Sequence, residues 1–182
     1  PQTVEIAERT LPHSLDAERA VLGAILVNPK AFDQIAGTIA PGDFFRDAHR
    51  RIFAAITGLC HRKVDPDFLT LKDALEKAGD LEECGGPAYL ASLTDGVPRT
   101  TNIRHYASLV VEKAILRNII SEANTVLGEA YGAEASAEDI LRRADVAFLD
   151  LPRHRGRGRL APLRDSMLGL ANDLSYRVEH RG

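Results

Sequence analysis

From Thr101 to about Tyr131 the sequence keeps a helical apolar period for some thirty residues. At about 1.5 Å per residue such a helix is on the order of 45 Å long. The periodic stretches before it are much shorter. Its apolar positions occupy more than one face: Ile103, Tyr106 and Val110 early, then Ile115, Leu116, Ile119, Ile120, Ala123, Val126 and Leu127. The first half can serve as ordinary core. The second half outruns any bundle the shorter helices can build, so its apolar face calls for a partner.

Thr101 or Asn102 is placed to cap this helix, and Gly132 to end it. Ser136, with Asp139 three residues on, starts another helix in a capping-box arrangement. That helix carries Ile140, Leu141, Ala144, Phe148 and Leu149 on one stripe. The short connection predicts an antiparallel helical hairpin.

The segments before the hairpin read as a bundle. Ser14 is the expected N-cap of a helix from Leu15 to Val27, with Asp16 and Glu18 at its positive end and Val21, Leu22, Ile25 and Leu26 inward. Ala20 and Gly23 are small enough for another element to come close. Asn28 and Pro29 stop it and start a second helix, expected to reach Ile39 with Phe32, Ile35 and Ile39 inward. Phe44 and Phe45 are expected to anchor a turn. A third helix runs from about Ala48 to His61 on Ile52, Phe53, Ile56 and Leu59. Thr70 is the expected cap of a fourth, which ends at Gly79. Gly85-Gly86-Pro87 leads into a short helix with Tyr89, Leu90 and Leu93. The fold class is therefore all-α: a compact helical bundle, a long antiparallel hairpin and a separate linker helix. The expected division is a mobile arm over residues 1–13, the bundle over 14–99, the hairpin over 100–150, and an Arg-rich linker with an amphipathic helix over 151–182. On that last helix Leu163, Met167, Leu170, Leu174 and Val178 share a face.

Composition excludes several classes. No apolar run reaches bilayer length and no secretory signal stands at the start, so reduced thiols in the cytoplasm are the default for Cys60 and Cys84. The net charge of −3 hides an asymmetry. Residues 151–182 hold seven arginines against three acids, and the rest of the chain is acidic. The run Arg153–Arg159 is a phosphate-binding candidate or a solvated linker; no aromatic residue is interleaved for base stacking. There is no P-loop, no G-x-G-x-x-G, no H-E-x-x-H and no C-x-x-C. Cys60, His61 and Cys84 match no usual metal spacing. The acid pairs Glu82-Glu83 and Glu138-Asp139 sit where carboxylates serve helix ends or face water. No catalytic, cofactor or metal site is expected in this chain.

Several stretches together resemble the N-terminal domain of the bacterial replicative DNA helicase, the DnaB family. They are LPHSLDAERAVLGAIL (Leu11–Leu26), PGDFFRDAHRR (Pro41–Arg51) with Ile52-Phe53, LEECGGPAYLASL (Leu81–Leu93), VPRTTN (Val97–Asn102) with His105-Tyr106-Ala107, and VVEKAILR (Val110–Arg117). The resemblance covers roughly residues 11–150, with the family's linker and linker helix matching 151–180 in position more than in sequence.

The resemblance implies a hexameric ring around single-stranded DNA, in which these domains pair through their hairpins into a trimer of dimers. It implies a second, RecA-like domain that would bind ATP and Mg and contact most of the DNA. This chain ends about where that domain begins, so the fragment alone is expected to turn over no ATP. Carried over by position, Ile115, Ile119, Ala123, Leu127, Ile140, Leu141, Ala144 and Phe148 would form the dimer contact. Tyr89, Ile120 and Val126 would meet a DnaG-type primase, and a helicase loader is a further candidate partner. Leu163, Met167, Leu170, Leu174 and Val178 would pack on the neighbouring subunit's motor domain. The competing reading is a nucleic-acid-binding module acting through Arg153–Arg159.

Overall fold

A computed structural model of the chain describes residues 10–97 and 102–150. Among these residues there are six α-helices and no strand: α1 (Leu15–Val27), α2 (Asp47–His61), α3 (Phe68–Ala78), α4 (Gly86–Ser92), α5 (Ile103–Gly132) and α6 (Ala137–Asp150). The expected Arg153–Arg159 run and the Leu163–Val178 face lie outside the described residues.

The core is aliphatic, with Phe44 and Phe53 as its large aromatic members. Val21, Leu22 and Ile25 of α1 meet Ile52, Phe53 and Ile56 of α2 inside it. The first half of α5 packs against α1 and closes the core with Ile103, Ala107, Val110, Val111 and Ala114. Gly23 lets α1 come close to the end of α4. A Cβ there would stand 2.1 Å from the Leu93 carbonyl oxygen and 2.7 Å from Val97 Cγ2.

Local chemistry sets the helix ends. Ser14 accepts from the Ala17 N–H, as its position predicts. The segment after Asn28 differs from expectation: it is a 3-10 helix over Pro29–Gln34 rather than an α-helix to Ile39. Gly37, at φ +75°, turns the chain there. Ile35, which ends that helix, and Ile39, beyond the turn, are buried all the same. On α3 the cap is Asp67, not Thr70. Thr70 donates its N–H to Asp67 Oδ1 at 2.8 Å, and the Asp67 N–H returns to Thr70 Oγ1 at 2.9 Å. The cap therefore lies three residues earlier, with Thr70 as its reciprocal partner.

At the start of α5 the Asn102 side chain accepts from the His105 N–H at 3.3 Å. At its far end the helix runs through Gly132, and Ala133 at φ +50° makes the stop expected of the glycine.

Candidate interaction surface on the hairpin

Beyond Ala114, α5 has no buried residue. From there its neighbour is α6, which turns back along it. Ser136 accepts from the Asp139 N–H at 3.1 Å to start α6, and Arg143 pairs with Glu129 at 3.0 Å across the hairpin. One helix–helix contact covers a single stripe on each helix, and the apolar side chains here extend past it. The remainder faces outward: Leu141 is 65% exposed, Leu149 62%, Leu127 50% and Ile119 38%.

The residues expected at a dimer contact divide by exposure. Ile119, Ala123, Leu127, Leu141 and Phe148 are exposed, Ile115 and Ala144 are half-buried, and Ile140 is buried within the chain itself. The three residues expected at a primase contact stand on two separate elements. Ile120 is exposed and Val126 half-buried on distal α5, whereas Tyr89 is half-buried on α4.

Tyr89 belongs to a polar chain through the bundle that sequence reading missed. Glu18 and His49 are both inside, 1% and 0% exposed. Glu18 Oε1 accepts from the Phe45 N–H at 2.8 Å, and its Oε2 lies 2.7 Å from His49 Nδ1. His49 Nε2 lies 2.6 Å from the Tyr89 hydroxyl. Arg46 donates to that same hydroxyl at 3.0 Å and lies over the Tyr89 ring. Burial pushes the Glu18 carboxyl up, but the hydrogen bonds from His49 and from the Phe45 and Arg46 backbone outweigh it and hold it below the usual range. Glu18 was expected to serve the helix dipole. It lies instead on the inward face, three and four residues before Val21 and Leu22, and His49 stands at the same offset before Ile52 and Phe53. That spacing was the available signal.

A second cluster sits where the hairpin leaves the bundle. Arg117 donates from one terminal nitrogen to the Pro12 carbonyl at 3.0 Å and from the other to the Asp43 carbonyl at 2.5 Å. Its guanidinium approaches the Phe45 ring, on which the His13 ring stacks at 4.4 Å. Leu11–His13 was expected to belong to a mobile arm; Pro12 and His13 are held here by Arg117 and Phe45.

The cysteines stand apart from one another in role. Cys60 is half-buried at the end of α2. Cys84 is in a turn but fully enclosed; its Sγ donates to the Ala48 carbonyl at 3.7 Å. Burial pushes its thiol up to about 11. Of the acid pairs, Glu83 pairs with Arg51, and Asp139 accepts from the hydroxyl of Ser136, the residue that caps α6, at 2.8 Å. No helix among the described residues is long and apolar enough to cross a membrane.

Comparison with known proteins bears on this surface. The family described as DnaB-like helicase N-terminal domain matches residues 10–112. The replicative DNA helicase DnaB of Geobacillus stearothermophilus is 33% identical over 89% of this chain and 36% of its own length. That of Haemophilus influenzae is 42% identical over 66% of the chain and 26% of its length. The chain thus spans about a third of the curated relatives it matches. The crystal structure of the N-terminal domain of DnaB helicase from Mycobacterium tuberculosis superposes with a TM-score of 0.73 at 33% identity, covering 78% of this chain and 99% of that one. A structure of a DnaB-like replicative helicase and its interactions with primase shares the fold, with a TM-score of 0.62 at 21% identity over 89% of this chain and 35% of that one.

Proposed function

The chain belongs to the family of DnaB-like helicase N-terminal domains, and from that premise we propose that it is the assembly and partner-docking part of a hexameric replicative DNA helicase. The observation that carries the reading is the exposed apolar face of the hairpin, from Ile119 and Leu127 on α5 to Leu141 and Leu149 on α6. A contiguous apolar face on a projecting element is the chemistry of a protein–protein contact. A second copy of the same hairpin fits it, giving an isologous pair, and three such pairs would build the hexamer. ATP and Mg would be met by a separate motor domain in the full-length parent, in the cytoplasm. Primase is the proposed further partner, at Tyr89, Ile120 and Val126, supported by the fold shared with the helicase studied with primase.

Sedimentation tests the core of this. Ile119→Asp and Leu141→Asp each place a charge in the proposed contact, where leaving it unpaired is costly. Both are expected to lower the mass of the associated species toward the monomer, with unchanged helical circular dichroism. If neither alters the mass, the hairpin is not the contact.

A further inference from the structure

The hairpin has no hinge loop at its root. It leaves the bundle as an unbroken continuation of α5, and its last buried residue is Ala114. From Ala114 to Gly132 the helix extends on the order of 27 Å. A lever of that length magnifies any looseness at its base: a rocking of about 10° moves the tip by about 5 Å.

One side chain stands at that base, one turn past the last buried residue. Arg117 reaches two backbone carbonyls belonging to different parts of the body, Pro12 ahead of α1 and Asp43 ahead of α2. Backbone carbonyls cannot rotate away as side-chain partners can. Two donors in a rigid planar fork, fixed to two points, restrict rotation as well as translation. The Phe45 ring lies beside the guanidinium, 5.6 Å from it, and the His13 ring stacks on Phe45 at 4.4 Å.

We propose that Arg117 is a latch that sets the angle of the hairpin against the bundle and couples that angle to the segment ahead of α1. Opening the Pro12 contact frees one prong, so a force on residues 10–13 changes the hairpin's swing, and the reverse holds by linkage. Arg117 acts here as a positioning residue through Pro12 and Asp43. The inference concerns contacts within one chain and does not depend on how hairpins pair.

Distances between spin labels read the angle directly. Cysteines replacing Glu76 on α3 and Glu134 at the hairpin tip, both exposed, carry the labels in a Cys60→Ala background; Cys84 is shielded by burial. Dilution with unlabelled protein removes distances between copies. Arg117→Met keeps much of the bulk and loses both bonds. Arg117→Lys keeps the charge but lacks the fork. Both variants are expected to retain the parent's helical content and to broaden the distance distribution by about 5 Å, the displacement of about a 10° rocking. A parent-like width in Arg117→Met overturns the latch. Broadening in Arg117→Met with parent-like width in Arg117→Lys overturns the two-pronged contact, leaving charge alone as the cause. Loss of folding in both makes Arg117 a folding residue and overturns the proposal too.

Discussion

Glu18 shows how one residue can satisfy two opposed demands. Its carboxylate is inside a core that should reject charge, yet three donors converge on it from Phe45, Arg46 and His49. Its pKa is held below the ordinary 4.5, so the unfolded chain binds the proton more readily than the folded one. The stabilisation is therefore fully present above about pH 4.5 and is lost as pH falls through the folded value. Glu18→Gln is expected to cost about 2 kcal/mol at pH 7, the scale of charge-assisted hydrogen bonds. Urea unfolding of parent and variant should show that gap shrinking steadily below about pH 4.5. A gap that stays constant down to pH 3 would mean the carboxylate's charge contributes nothing.

Between elements, the decisive dimension is how closely helices approach. Gly23 stands against the Leu93 backbone, which cannot yield as a side-chain tip can. Gly23→Ala is a helix-favouring change in isolation, worth up to about 1 kcal/mol. Here the overpacking is expected to reverse that sign, with a net loss of about 1–3 kcal/mol in thermal or urea unfolding. An increase in stability would show that α1 and α4 can separate freely. This contact was legible in the sequence, since a small residue on an apolar face has few other uses. The caps of α1, α5 and α6 and the inward stripes of α1 and α2 were legible for the same reason: they depend on spacing within one element. What escaped was long-range and polar. Nothing local tells Glu18 that His49 will be opposite, or Arg117 that Pro12 and Asp43 will present their carbonyls. The 3-10 segment after Pro29 escaped too, because so short an apolar spacing suits either winding.

Across the molecule, stability and association are linked through the exposed hairpin face. If second copies cover Leu141 and Leu149, folding gains from mass action and the midpoint of thermal unfolding rises with protein concentration. A hundredfold increase in concentration is expected to raise it by several degrees in the parent and not in Leu141→Asp. Calorimetry at two concentrations checks this, and a parent midpoint independent of concentration would argue against a contact of useful strength. The same face explains why the distal hairpin was readable from sequence while its partner was not: exposure is a property of one chain, and complementarity is a property of two.

The continuity of α5 has a bearing on how such a chain can be re-engineered. Ile103, Ala107, Val110, Val111 and Ala114 wall the core, and Ile119 to Leu127 lie on the same unbroken helix. The hairpin is thus not a cassette with a seam at residue 100. A chimera that exchanges everything after Asn102 also exchanges one wall of the recipient's core. The boundary for a clean graft falls after Arg117, inside a helix, where donor and recipient must agree on register rather than on a linker.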